Sequence, residues 1–287
     1  APPPPPRAVA PADAPTVVVL PGFGNDQVDY RAPLGLPEEC GLVAALERRG
    51  FAVAVAPVDR GDWLKVLTEG WRDADFFFKE RGGVASPAFA WYAEKVSAAV
   101  AAVDGPVLLL GHSAGGWLAK LACLADDDVA TRCAAIVSLG APHAPPPAGV
   151  PCATRGVVAS VFAAPWPDAF DGAIVTVASD SVRGDAASSD GERATAADAY
   201  RRVTGNAADV GDSVVPLAAA HLPEADARLT LACKHSINVA GSGVPTDDWY
   251  GAEKWIDAWL GPALEQVRRP RWLREAGRRV FPAGITN

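Results

Sequence analysis

The chain predicts an α/β fold, with a mostly parallel central sheet of about six or more strands flanked by helices and carrying cap-like insertions. Three observations lead there. Residues 16–20, 37–49 and 51–58 read as strand, helix and strand joined by a crossover short enough to require parallel neighbours connected in the right-handed sense. Short strand-like runs then recur at 107–110, 133–139, 173–177 and 228–232, separated by helical or irregular stretches. The irregular stretches gather after the carboxyl ends of these runs, the side on which an open α/β sheet binds ligands.

Taken in order, residues 1–15 are rich in proline and alanine without helical or strand period, so an extended, mobile lead-in is expected. The first strand breaks into a tight loop at Pro21-Gly22-Phe23-Gly24. The helix over 37–49 has Pro37 near its start and Gly50 just past its end. Residues 59–90 hold Trp63, Trp71, Phe76, Phe77, Phe78 and Phe89 without clean periodicity, a density that fits either ordinary core or the wall of an apolar substrate groove. A helix over 88–103 leads into the strand at 107–110, and the strand at 133–139 ends in Gly140-Ala141-Pro142-His143. A helix over 252–260 closes the domain. The expected organisation is a domain over 16–263 with insertions near 59–90, 144–172 and 180–209, followed by a basic tail over 264–287.

With 287 residues, 49% of them hydrophobic, the chain can bury a sizeable core as one domain. A net charge of -8 argues against nucleic acid as a partner, since a phosphate backbone calls for a basic face. The tail departs from this: residues 265–279 hold six arginines and two glutamates, which leaves about -12 for the rest. The tail is therefore a candidate for peripheral contact with an anionic membrane, the plainer reading being a solvated helix. Five cysteines, an odd number without metal-like spacing, point to a reducing compartment rather than a disulfide scaffold, and neither a metal nor a cofactor is expected. No apolar run approaches the ~20 residues of a membrane span. The sequence contains no methionine, so residue 1 is not an initiator, and trimming or removal of a targeting segment is expected.

The stretch Gly111-His112-Ser113-Ala114-Gly115 joins the apolar run 107–110 to a helical segment, the setting a G-x-S-x-G nucleophile elbow requires. A serine hydroxyl becomes a useful nucleophile when a sharp turn lifts it clear of the sheet, next to a base and at the start of a helix. Small flanking residues give such a turn room, and the opening amides of the helix face the same space. Ser113 is thus the candidate nucleophile. The candidate oxyanion donors are the backbone amides of Ala114 and of the loop after the first strand, Phe23 first and Gly24 next. Candidate substrate contacts are His112, Trp117 and Phe23.

A hydrolase on such a fold orders its residues as Ser, then Asp or Glu, then His. Of the four histidines, His112 lies inside the elbow with its side chain expected to point away from the base position, His143 precedes the best acid in the chain, and His221 is set aside in favour of His235. His235, just beyond the last strand, remains as candidate base. The acid is Asp212, ahead of Val214-Val215-Pro216, with Asp180 as its rival and Asp209 a weaker third.

Val19-Leu20-Pro21-Gly22-Phe23-Gly24-Asn25, Gly111 through Ala119, Leu139-Gly140-Ala141-Pro142-His143, Gly211 through Pro216 and Asp248-Trp249-Tyr250-Gly251 together resemble the plant and algal, often plastid-targeted, α/β-hydrolases related to GPI inositol-deacylases. The resemblance covers most of residues 16–261 and is weakest over 180–209. It implies the α/β-hydrolase fold, hydrolysis of a lipid-like ester, and Ser113, Asp212 and His235 as the triad. It also implies a plastid location after loss of a transit peptide, with the cytoplasm as the alternative. Ser213 departs from the group, where glycine is more usual. A serine ester hydrolase acting on acyl esters is the expected activity, with acyl transfer by the same residues, or lipid binding without catalysis, as the alternatives.

Overall fold

The computed structural model describes residues 9–238, 244, 246–270 and 272–274. Six strands, β1 (Thr16–Leu20), β2 (Val53–Val55), β3 (Val107–His112), β4 (Cys133–Leu139), β5 (Ala173–Ser179) and β8 (Ala227–Leu231), form one sheet in the order β2-β1-β3-β4-β5-β8, and every neighbouring pair is parallel. Two short strands, β6 (Val182–Arg183) and β7 (Val210–Gly211), pair antiparallel beside it. The larger helices are α1 (Leu42–Glu47), α2 (Ala74–Lys79), α3 (Pro87–Ala101), α4 (Ala114–Ala125), α5 (Asp127–Arg132), α6 (Val157–Ala163), α7 (Gly191–Thr204) and α8 (Glu253–Arg268).

The alternation of strand side chains divides the core into two layers. Val18, Leu20, Val107, Leu109, Ile136 and Ile174 pack against α3 and α4, while Val17, Val19, Leu108, Leu110, Val137 and Val175 pack against α1, α8 and Tyr30. Both faces being covered explains why β3 reads as an unbroken apolar run rather than an alternating one.

Several boundaries differ from the sequence reading, each for a tertiary or local reason. The helix expected over 37–49 is a 3-10 turn at Glu38–Cys40 and then α1, broken at Gly41, where a Cβ would stand 2.0 Å from the Arg31 carbonyl oxygen. The second strand stops at Val55 because Pro57 has no N–H to continue the ladder. The closing helix extends past 260 to Arg268, since Trp259, Leu260, Ala263 and Leu264 keep it seated on the sheet. Residues 1–8 of the expected lead-in lie outside the described residues, and from Ala10 onward it is tied rather than mobile, the Ala10 N–H donating to the Arg49 carbonyl at 2.8 Å. Of the expected basic tail, residues 264–268 belong to α8 and Arg274 is buried with its guanidinium against Asp171, while residues 271 and 275–287 lie outside the described residues.

Arg49 also fixes α8. Its buried guanidinium bridges Glu253 at 2.6 Å and Asp257 at 2.8 Å, and on the same helix the Trp259 indole N–H donates to the Tyr250 carbonyl at 3.0 Å. Tyr250 is thereby held at the carboxyl end of the sheet, where the site is built.

Candidate active site

β3 delivers Ser113 at the top of the sheet and α4 begins one residue later. Ser113 has φ 54° and ψ -127°, a backbone conformation that costs a non-glycine residue of order 1–3 kcal/mol. Its N–H donates to the Leu139 carbonyl at 2.9 Å and its own carbonyl accepts from Gly116 at 3.0 Å, so the surrounding structure pins the turn. Gly111 and Gly115 make the close passage possible: a Cβ on Gly111 would lie 2.4 Å from the Gly115 carbonyl, and one on Gly115 would lie 2.3 Å from the Leu20 carbonyl.

Three residues far apart in the chain meet here. The Ser113 hydroxyl oxygen is 3.0 Å from His235 Nε2, and His235 Nδ1 is 2.8 Å from Asp212 Oδ2. Asp212 is fully buried and all its acceptor capacity is used: Oδ1 takes the amides of Val214 at 2.9 Å and Val215 at 2.7 Å, and Oδ2 takes the Tyr250 hydroxyl at 2.9 Å besides His235. Burial by itself pushes this carboxyl up, but the His235 ring and the hydrogen bonds outweigh it and hold the group below the usual carboxylate range. Asp212 is therefore an anion in the interior. The loop carrying it is pinned in turn by α7, because the Ser213 N–H donates to the Tyr200 hydroxyl at 2.9 Å and that hydroxyl donates to the Val182 carbonyl at 3.0 Å. Ser213 adopts φ 85°, a left-handed conformation in which a glycine would be unstrained and a serine is not.

The rival acids are placed elsewhere. Asp180 is exposed at the end of β5, and Asp209 caps a turn by accepting from Thr204 at 2.5 Å and Asn206 at 2.6 Å. The remaining histidines are also occupied. His143 Nε2 is 2.8 Å from the Ser138 hydroxyl and His221 Nδ1 is 2.8 Å from the Thr176 hydroxyl, with burial drawing their pKa values down to about 3 and about 4.

His112 lies beside His235 rather than pointing away from it, their ring centroids 5.0 Å apart. Its Nε2 faces the His235 carbonyl at 3.0 Å, which can only accept, so Nε2 carries the proton and Nδ1 accepts from the Tyr30 hydroxyl at 2.9 Å. That hydroxyl oxygen accepts from the Gly22 N–H at 3.0 Å. One buried hydrogen-bond chain thus joins the loop after β1 to the backbone of the candidate base. Burial first, and the neighbouring His235 second, draw the His112 pKa to about 3, so it stays neutral at neutral pH.

The amides of Phe23 and Ala114 have no hydrogen-bond partner among the described residues, and Gly22 is so close to the elbow that a Cβ there would lie 2.8 Å from Ser113 Cβ. Gly24, at φ 77°, completes the turn of this loop, and its carbonyl accepts from Arg60 Nε at 3.0 Å. A cleft of about 420 Å³ opens over Ser113 and His235, bordered by Phe23, Asn25, Asp29, Arg60 and Ile237. A hollow of about 490 Å³ between α3 and α4, bordered by Ala93, Ser97 and Leu121, touches none of these groups.

One expected substrate contact needs correction, and a second lines the cleft without a free polar atom. Trp117 is buried and its ring packs on Phe89 at 5.1 Å, because its position on α4 faces the core rather than the cleft. His112 borders the cleft, but with both nitrogens engaged it offers a ligand no polar atom. Phe23 is exposed at the rim. The aromatic segment 59–90 does not wall the cleft either: Trp63, Phe76 and Phe89 are core, and of that segment only Arg60 borders the opening.

Tyr250, Tyr30 and Gly140 were not singled out as site residues by the sequence. Gly140 is the sharpest case, with φ 58° and a Cβ position 2.6 Å from Asp212 Oδ2 and 3.1 Å from His235 Nδ1. The Gly140-Ala141-Pro142 run at the end of β4 was the available signal. Gly140→Ala is expected to displace the His235–Asp212 pair and lower kcat by about 10²-fold, the cost of misplacing a reacting group by about an ångström. Steady-state kinetics alongside a thermal melt would separate this from simple unfolding.

The comparisons with known proteins agree with this architecture. A family model described as a PGAP1-like alpha/beta domain matches residues 96–165, the span that carries the elbow and β4. A metagenomic carboxyl esterase superposes with a TM-score of 0.54 at 14% sequence identity, covering 90% of this chain and 77% of that one. The fold is that of the α/β-hydrolases. A pyrethroid hydrolase aligns over 46% of this chain and 42% of its own at 23% identity, with a TM-score of only 0.28. No curated protein matches the chain.

Proposed function

We propose that the chain is a serine ester hydrolase that cleaves acyl esters, lipids in particular, through an acyl-enzyme on Ser113. The observation that carries this reading is the unbroken line from the Ser113 hydroxyl through both nitrogens of His235 to the buried Asp212 carboxylate, at 3.0 and 2.8 Å. His235 Nε2 takes the hydroxyl proton as Ser113 Oγ bonds to the ester carbonyl carbon. The negative oxygen that forms is met by the Phe23 and Ala114 amides and by the amino-terminal end of α4. Asp212 keeps the imidazole in the tautomer with Nε2 free to accept, and stabilises the imidazolium that results. The imidazolium returns its proton to the departing alkoxide, and a water activated by the same ring then releases the acid.

A dedicated pocket of a few hundred cubic ångströms suits one acyl group or a small alcohol rather than a macromolecule. The hydrolase class also agrees with the neighbour described as a carboxyl esterase. Turnover of p-nitrophenyl esters across a series of chain lengths is the test. Hydrolysis with a preference for one length range is expected, and absence of turnover at every length would overturn the reading.

A further inference from the structure

Residues 60–72 form a nearly continuous helical run, made of a 3-10 turn (Arg60–Leu64), an α turn (Lys65–Thr68) and a second 3-10 turn (Gly70–Arg72). One side of the run is anchored. Trp63 is buried, its indole N–H donates to the Asn25 carbonyl at 2.9 Å, and its ring meets Trp91 at 5.3 Å and Tyr92 at 5.6 Å. Asp62, next to it, holds Lys65 and Lys95, each at 2.8 Å.

The neighbouring, outward stripe carries Leu64, Leu67 and Trp71, which are 66%, 60% and 61% exposed. Their spacing of three and then four residues is that of one stripe along a helix, the stripe that ordinarily turns toward the core. Here it faces outward. α2 adds Phe78, 76% exposed, with its ring 5.2 Å from Phe77. A solvent-facing ridge of large apolar side chains is unfavourable unless something covers it, and such patches mark interaction surfaces.

The position and charge of the ridge define what covers it. It begins at the cleft: Arg60 borders the opening, and exposed Phe23 at the rim packs on Trp63 at 5.0 Å. Between residues 60 and 81 there are five basic and five acidic side chains, and Lys65 with Asp62, Arg72 with Glu69 and Lys79 with Asp75 pair among themselves. The surface is locally neutral on a chain of net charge -8, so an anionic bilayer would gain no attraction from it and would be repelled by the whole. An uncharged or zwitterionic lipid surface asks only for apolar and aromatic area at the interface.

We infer that Leu64, Leu67, Trp71 and Phe78 dock the protein on an uncharged or zwitterionic lipid surface, with the cleft opening onto it. Resting on the esterase reading, this makes esters held in that surface the substrates of the Ser113 site.

Two parallel measurements test the docking separately from the chemistry. In a Ser113→Ala background, flotation with phosphatidylcholine vesicles should recover the protein. Adding Leu64→Ser, Leu67→Ser, Trp71→Ser and Phe78→Ser together should lower the partition coefficient at least about tenfold. With Ser113 intact, the same four substitutions should leave turnover of soluble p-nitrophenyl acetate within about twofold while reducing hydrolysis of a long-chain ester embedded in the vesicles at least about tenfold. If the combined variant fails to fold, as loss of soluble turnover would reveal, Trp71→Ser alone should still weaken flotation about threefold.

Docking is overturned if the Ser113→Ala parent does not float with phosphatidylcholine, or if the substitutions leave flotation unchanged. It is overturned equally if binding requires added phosphatidylserine, or if the parent elutes as a dimer and the variant as a monomer. Flotation that depends on the ridge without any ester turnover would refute the esterase reading and leave the docking surface standing.

Discussion

Ser113→Ala is expected to lower kcat/KM for a short p-nitrophenyl ester by about 10⁶-fold, with the fold unchanged. The substitution removes the hydroxyl placed 3.0 Å from His235 Nε2 and leaves the imidazole with no serine proton to take. Residual activity would come from the Phe23 and Ala114 amides acting on an ester attacked by water, which retain some catalysis when the nucleophile is gone. Alanine suits the strained φ of 54° no better than serine does, so the thermal midpoint should stay where it is. Circular dichroism melts beside the kinetics check both halves of the expectation, and retention of a tenth or more of the wild-type rate, on the order of a 1.4 kcal/mol effect, would place the nucleophile elsewhere.

Asp212→Asn is expected to cost about 10⁴-fold in kcat while preserving the geometry, because the local donors dictate how the new amide must sit. The amides of Val214 and Val215 can only donate, so the oxygen of an asparagine must occupy the Oδ1 position. Its NH₂ group is then directed at His235 Nδ1 and the Tyr250 hydroxyl. Facing a donor, Nδ1 has to accept, and the ring proton moves to Nε2. A protonated Nε2 cannot take the Ser113 proton. Measured kcat against KM makes the point: the loss should fall on kcat, since the cleft residues that hold the substrate are untouched. An equal loss for Asp180→Asn would contradict the assignment, as that exposed side chain has no part in the array.

Much of this arrangement was legible in the sequence because it depends on local pattern and chain order. β3 and β4 declared themselves as apolar runs because both faces of the sheet are covered, Ser113 followed from the elbow, and His235 from its place just beyond the last strand. Asp212 was preferred as the acid, but local pattern left Asp180 standing as its rival. The difference between them is burial and two converging amides, which arise only when the loop after β7 closes against α7.

The residues that sequence reasoning missed act through tertiary contacts. Tyr250 and Tyr30 resemble core aromatics in a linear reading, and their roles rest on single hydroxyl groups directed at Asp212 and His112. Trp117 misled, and the aromatic segment 59–90 stayed open between core and groove, for the converse reason. Aromatic density in a sequence does not state which way each ring points, and here Trp63 and Trp117 turn inward while Trp71 and Phe78 turn out. Gly41 breaks its helix because of the backbone of a segment ten residues upstream, which no helical pattern records.

The proposed chemistry depends on Ser113 attacking a carbonyl with His235 as its base. Incubating the wild-type protein with a fluorophosphonate and locating the adduct by peptide mass spectrometry tests it most directly. One phosphonyl group on Ser113, absent from the His235→Ala protein, is the result expected; an unmodified Ser113, or an adduct on any other residue, would contradict it.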